Sequence, residues 1–303
     1  MQFPAANGLT VHRSYGIIFE KPCGFDIKKY TSKEARKGRD PDMLEQICDA
    51  VREAGAIILS AETYRGDGIQ KSGDYNYVTE YDVKVQKFLR SALGDICPEA
   101  AFCGEEDGEQ GRGELAWVVD PIDGTSNFIH GTGMSCVSVA LTRFYEDLPI
   151  LAAIFNPYTG ELYTAERGKG AFCNGKQLHV SGHDYGHALI SFGSTPYDRS
   201  MAGPTLEMLH DVFMGALDIR RTGSAALDLA FLAAGRSDGF FEMRLQPWDY
   251  AAGELLIEEA GGIITRFNGL RPSLTTPSSI LAGTPSTYPV MKAAAEKYTR
   301  LVY

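Results

Sequence analysis

Tryptophan occurs only twice in the 303 residues, and cysteine and histidine six times each. No two of Cys23, Cys48, Cys97, Cys103, Cys136 and Cys173 form a C-x-x-C pair. Their spacing excludes an evident zinc site or a dense disulfide framework and reads as free thiols in a reducing compartment. His179, His183 and His187 recur at i,i+4 spacing, but Gly182, Asp184 and Gly186 make that stretch a poor helix and a poor metal site. No apolar run reaches the ~20 residues that span a bilayer. The N-terminus also lacks the charged start and apolar core of a signal peptide, so a cytoplasmic location is expected. Positive charge is in the minority: 29 Lys and Arg stand against 39 Asp and Glu, for a net charge of −10. That balance argues against a bulk nucleic-acid binder, and the lack of a long apolar run against a membrane partner. It also means that an anionic substrate needs local positive charge, which a bound metal can supply.

What is present is an ordinary globular composition, 44% hydrophobic and 22% charged, in a chain long enough for one large domain or two packed subdomains. Residues 1–40 show no sustained period, and six basic residues lie between Lys28 and Arg39. They read as an extended or flexible arm. Regular structure begins with Asp40 as a helix cap and Pro41 at the first helical position. Leu44, Ile47, Cys48, Val51, Ala54 and Ile58 then recur at helical spacing, and Val85, Phe88, Leu89 and Leu93 mark a second helix. Strands follow at "SCVSVALTRF", "PILAAIFNP" and "ELYTAERG", and Asn174-Gly175 signals a hairpin. From Ser191 strands and helices alternate: "SAALDLAFLAAG" and "WDYAAGELLIEEAGG" are helices, "GFFEM" and "GGIITRF" strands. Pro289 opens a last helix with Val290, Ala294 and Tyr298. The expected fold class is α+β, a layered α-β-α-β-α sandwich of two subdomains. An α+β part with an antiparallel sheet spans 41–185, and an α/β part spans 186–303.

Three element ends carry acids. "WVVDPIDGT" is an apolar strand that stops at Asp120 and Asp123, with Pro121 stiffening the backbone between them. Two carboxylates and the Ile122 carbonyl form a hard oxygen donor set suited to Mg²⁺. Gly124 allows close approach to the backbone, and N–H groups from there onward can hold a phosphate if a helix begins. A capped turn explains D-P-I-D alone equally well. "GEED" places Glu105 and Glu106 at a second strand end. Asp249 opens a helix after Pro247 and Trp248, where a helix-cap role would account for it. Three acid-bearing ends together point to a shared cation site, because carboxylates massed without counter-ions repel.

These motifs resemble those of the inositol monophosphatase family, the Mg²⁺-dependent, lithium-sensitive phosphatases. The resemblance covers about residues 41–303 and rests on "GEE" at 104–106, "DPIDGT" at 120–125 and "WDYAAGELLIEEAGG" at 248–262, with "KSGDYNYVTEYD", "GKGAFCNGKQL" and "GSAALDLA" beside them. It implies a sugar-phosphatase fold. It also implies that Glu105, Asp120, Asp123 and the Ile122 carbonyl bind metal, that Asp249 binds a second ion, and that Gly124 and Thr125 hold phosphate. Gly223, Ser224 and Ala225 would line the substrate pocket, and Glu242 would contact substrate hydroxyls. Lys71 falls in the loop near the metals. Asn76 stands where many members carry an aspartate, so two Mg²⁺ ions are implied and a third is in doubt.

The implied reaction is hydrolysis of a small phosphate monoester, foremost myo-inositol monophosphate, by a metal-activated water that Glu105 and Thr125 orient. No covalent intermediate is needed, since neither Cys nor Ser sits in a nucleophile motif. Related activities remain open, on fructose 1,6-bisphosphate, 3′-phosphoadenosine 5′-phosphate, NADP(H) or histidinol phosphate. So do a non-catalytic metal-binding interaction protein and a nucleic-acid module built on the basic arm. The family resemblance implies a homodimer.

Overall fold

The computed structural model describes residues 42–61, 69–70, 77–107 and 113–301. The N-terminal arm, Cys23, Lys71 and Asn76 lie outside them. The first helix, α1 (Met43–Leu59), is capped by Asp42, whose Oδ1 accepts from the Glu45 N–H at 2.8 Å. That places the cap two residues beyond the expected Asp40; residues 40 and 41 are outside the described set. Strands β1 (Ile69–Gln70) and β2 (Tyr77–Val78) form a short antiparallel pair. Helix α2 (Glu80–Ile96) starts with a capping box between Thr79 and Asp82.

Both helices cover one face of a seven-stranded sheet with strand order β3-β4-β5-β6-β7-β8-β9. Its strands are β3 (Ala101–Gly104), β4 (Leu115–Asp123), β5 (Cys136–Arg143), β6 (Leu148–Asn156), β7 (Glu161–Glu166), β8 (Gly170–Cys173) and β9 (Lys176–Gln177). Only β3 and β4 pair in parallel. The period of two decides the faces. Trp117 and Val119 of β4 join Ile47, Val51, Val85 and Leu89 beneath the helices, while Ala116 and Val118 turn the other way. Asn174 (φ 48°) and Gly175 (φ 79°) turn the β8–β9 hairpin in the left-handed conformation, as the Asn-Gly pair predicts.

On the second face lie α5 (Ala225–Ala233) and α6 (Pro247–Glu259). Residues 251–257 of α6 are all buried, because this layer is sandwiched between two sheets. The second sheet runs β11-β10-β12-β14-β13. It comprises β10 (Leu189–Phe192), β11 (Asp218–Arg220), β12 (Gly239–Leu245), β13 (Ile263–Thr265) and β14 (Ser278–Gly283). Strand β10 pairs in parallel with β11 and β12, and β14 pairs antiparallel with β12 and β13. Phe240, Ile280 and Ala282 face α5 and α6, whereas Phe241, Met243 and Leu281 pack with α4 (Ala202–Phe213) and α7 (Tyr288–Ala295). The result is helix, sheet, helix, sheet, helix, the expected layered order.

Some details differ. In α7 Met291 and Ala295 are buried while Val290 is 46% exposed; of the other anticipated positions, Ala294 packs against the same core and Tyr298, just past the helix, is buried. The short helix α3 (Thr125–His130) does begin directly after D-P-I-D-G. His183 Nδ1 contacts Asp238 at 3.0 Å and His187 Nδ1 contacts Asp184 at 2.8 Å, so these histidines have separate partners. The five described cysteines are all free thiols. No helix among the described residues is long and apolar enough to cross a membrane.

Candidate active site

A cavity of about 150 Å³ opens where the end of β4, the starts of α3, α5 and α6, and strand β12 meet. Glu105, Asp120, Asp123, Asp228, Glu242 and Asp249 line it, with Arg221 the single Lys, Arg or His among the described lining residues. Ile122, Gly124, Thr125, Gly223, Ser224 and Ala225 complete much of the wall. Of the two glutamates of "GEED", Glu105 lines the cavity and Glu106 is not among its lining residues; Lys71 and Asn76 lie outside the described residues, and the other residues given a site role by the sequence share this one cavity.

Local structure explains how the acids converge. Asp120 and Asp123 are three residues apart and would point to opposite faces of a regular strand. The β4–β5 register shifts between them, and this bulge in the Pro121–Ile122 stretch turns both toward the cavity. Asp120 Oδ1 accepts from the Ile122 N–H at 3.0 Å. Asp123 Oδ2 accepts from the Ala226 N–H at 2.9 Å and from the Ser224 hydroxyl, so the N-terminus of α5 holds its carboxylate. Helix α6 is capped by Gln246, not by Asp249; Asp249 is the third helical residue, and its Oδ2 accepts from the Gln246 N–H at 2.7 Å. Pro247 occupies the first helical position, where its missing N–H costs nothing. Gly124 has φ 85°, and a Cβ there would sit 3.0 Å from the Met134 carbonyl and 3.2 Å from that of Gly223. Both the conformation and the crowding demand glycine.

One carboxylate oxygen from each of Asp120, Asp123 and Asp249 can be chosen so that all lie within 4.8 Å of one another. Burial pushes Asp120 well above the usual carboxylate range, helped by the charges of Glu105, Asp123 and Asp249. Asp249 is likewise driven well up by burial, then by Asp123 and Glu105. Asp123 rises to about 6 through burial, against the pull of Ser224 and the Ala226 N–H. Glu242 rises to about 7 for the same reason, opposed by the Thr195 N–H and the Arg221 charge. None of Asp120, Asp123 and Asp249 forms a salt bridge among the described residues. A buried group of hard oxygen donors with one sign of charge fits a divalent cation such as Mg²⁺.

Three participants were not apparent from the sequence. Thr125 Oγ1 lies 3.2 Å from Asp82 Oδ1 and 3.2 Å from the Ile122 carbonyl, either of which can accept its proton. Asp82 Oδ2 in turn accepts from the Thr79 N–H at 2.8 Å and its hydroxyl at 2.5 Å. Burial raises Asp82 to about 6. The signal was the T-x-x-D box in "VTEYD", which accounts for a helix cap but not for a buried acid reaching Thr125. Gln86 Oε1 accepts from the Glu106 N–H at 2.9 Å and fixes the turn that carries Glu105. Arg221, at the exposed rim, donates to the Ser194 hydroxyl at 3.1 Å.

A model of the inositol monophosphatase family matches residues 40–300. The chain belongs to that family. Among its relatives are proteins named inositol-1-monophosphatase and proteins named Nus factor SuhB. An inositol-1-monophosphatase of Rhizobium meliloti is 45% identical over 233 residues, covering 75% of this chain and 86% of the relative. A Nus factor SuhB of Xylella fastidiosa is 41% identical over 225 residues, covering 73% of this chain and 80% of the relative. Among solved structures, the extragenic suppressor protein SuhB of Bartonella henselae superimposes with a TM-score of 0.79 at 34% identity, over 85% of this chain and 99% of that one. The Thermotoga maritima IMPase gives 0.77 at 28% identity, over 87% and 100%. This member of the family thus has both the layered fold of these proteins and an acid-lined cavity at the join of its sheets.

Proposed function

We propose that this protein hydrolyses a small phosphate monoester in a Mg²⁺-dependent reaction, with myo-inositol monophosphate the favoured substrate. The observation that carries this reading is the convergence of Asp120, Asp123 and Asp249 within 4.8 Å in a cavity whose described lining holds one guanidinium. Glu105, Asp120 and the Ile122 carbonyl would hold one ion, and Asp120, Asp123 and Asp249 a second. When bound, magnesium supplies countercharge, polarises phosphoryl oxygens and makes a coordinated water more acidic.

The chain's own groups do the positioning. A Thr125 hydroxyl that donates to Asp82 keeps its lone pairs for a proton of the attacking water, so Thr125 and Glu105 orient that water. Gly124 and Thr125 stand where N–H groups of the first turn of α3 have no intrahelical acceptor and can hold phosphate. Gly223, Ser224 and Ala225 form the substrate side of the wall, and the Glu242 carboxylate accepts from substrate hydroxyls. Cys136 is buried, and burial raises its thiol well above the ordinary range, which keeps it out of nucleophilic service. A cytoplasmic homodimer sensitive to lithium belongs to the same proposal.

Replacing Asp120→Asn or Asp249→Asn is expected to lower Mg²⁺-dependent phosphate release by roughly a hundredfold or more. The wild-type melting temperature should rise in Mg²⁺ and that of either variant should not. Near-normal turnover in either variant would overturn the mechanism. A panel adding fructose 1,6-bisphosphate, 3′-phosphoadenosine 5′-phosphate, NADP(H) and histidinol phosphate ranks the substrates. The relatives named Nus factor support a second reading, a role through a macromolecular partner. If purified protein released phosphate from no member of the panel, that reading would take precedence.

A further inference from the structure

Glu242 is held from a segment whose backbone is unusual. Strand β10 ends at Phe192, and the Gly193 N–H still donates to the Phe241 carbonyl at 3.0 Å, so Gly193 runs directly alongside Glu242. A Cβ on Gly193 would lie 1.8 Å from Glu242 Oε2 and 2.1 Å from its carboxyl carbon. The carboxylate therefore occupies the space that any other residue would fill with its side chain. Two positions on, Thr195 is completely buried and has φ 43°. That left-handed conformation is uncommon for a β-branched residue and persists only where its surroundings impose it. Here it brings the Thr195 N–H to 2.7 Å from Glu242 Oε1 and the Thr195 hydroxyl to 3.4 Å from the same oxygen. The Thr195 carbonyl is engaged by the Asp198 N–H at 3.0 Å, and Thr195 Oγ1 also lies 3.4 Å from the Arg244 carbonyl. One carboxylate oxygen is thus tied to Thr195 and the other seated on Gly193.

We propose that Gly193 and Thr195 are positioning residues that fix a single orientation of the Glu242 carboxylate, and that this orientation sets selectivity for phosphate esters whose alcohol carries further hydroxyl groups. The inference rests on the proposed function above. A carboxylate held on one side by N–H and van der Waals contact has its remaining lone pairs aimed in a fixed direction. Hydroxyl donors that meet them gain a charge-assisted hydrogen bond, and an ester without such donors gains nothing.

The test compares kcat/KM for myo-inositol 1-phosphate with that for p-nitrophenyl phosphate, which lacks hydroxyls on its leaving group. Glu242→Gln, Gly193→Ala and Thr195→Gly are assayed beside the wild type, with melting temperatures and a crystal structure of Gly193→Ala. Gly193→Ala should displace the carboxylate. It should lower kcat/KM for inositol phosphate roughly tenfold to a hundredfold, mainly through KM, and leave the aryl ester within about threefold. Glu242→Gln should change the ratio in the same direction. Thr195→Gly keeps the N–H and accepts the positive φ, so it should preserve the ratio. Equal losses on both esters in Gly193→Ala, an unchanged ratio, or a crystal structure with Glu242 unmoved would overturn the clamp. A wild type inactive on both esters would instead overturn the phosphatase reading, and the selectivity claim with it.

Discussion

The proposed chemistry rests on single side chains, several of which would act through a second residue. Asp82 shows the pattern: its Oδ2 closes the α2 capping box, and its Oδ1 meets the Thr125 hydroxyl. An amide cannot serve both. If its oxygen stays on Thr79, the NH₂ donates to Thr125 and reverses that bond; if it faces Thr125, two Thr79 donors lose their acceptor. Asp82→Asn is therefore expected to lower kcat by about a hundredfold and stability by about 1 kcal/mol. Phosphate-release kinetics and a thermal melt read the two effects. A kcat within threefold of the wild type would remove Asp82 from the orienting chain.

At the scale of elements, the cavity depends on two helices packed closely enough to present their N-termini side by side. Gly253 of α6 makes this possible. A Cβ there would come within 2.5 Å of Leu229 Cδ1 and 2.6 Å of its Cβ, on the facing helix α5. Because Leu229 and the surrounding α6 residues are fully buried, neither helix has room to retreat. Gly253→Val should thus destabilise the protein by about 1–3 kcal/mol despite removing a helix-weakening glycine. It should also weaken Mg²⁺ binding, since α5 holds Asp123 and α6 carries Asp249. Denaturant melts with and without Mg²⁺ test both parts. A more stable variant would show that the helices separate freely.

Over the whole molecule, massed buried acids make stability depend on pH. Asp228 gives the clearest case. It is 1% exposed, hydrogen-bonded to the Thr222 hydroxyl at 2.8 Å, and raised by burial to about 8. A carboxyl whose folded pKa exceeds its unfolded value holds its proton more tightly in the folded state. Its contribution is full below the ordinary aspartate value of 3.8 and is lost as pH rises toward about 8. Asp228→Asn mimics the protonated form, so it should be more stable than the wild type at pH 8 and should show a shallower decline between pH 5 and pH 8. Urea melts across that range decide it; an unchanged slope would mean that other groups dominate.

The chain order of acids, prolines and glycines determined much by itself. D-P-I-D-G-T, G-E-E and P-W-D are short motifs whose residue types are those a cation site needs, and alternation and helical spacing are local properties that survive without a folded partner. The layered architecture was legible for the same reason. Less legible were α4, whose Gly203-Pro204 start resembles a turn, and β14, whose "SSILAG" is too short and apolar to separate strand from buried helix. Only the tertiary structure decided that a bulge turns Asp120 and Asp123 to one side, that Asp82 reaches Thr125 across 43 residues, and that Gly193 leaves room for Glu242. Those relations depend on backbone paths from distant segments meeting at ångström separations, which no local pattern encodes.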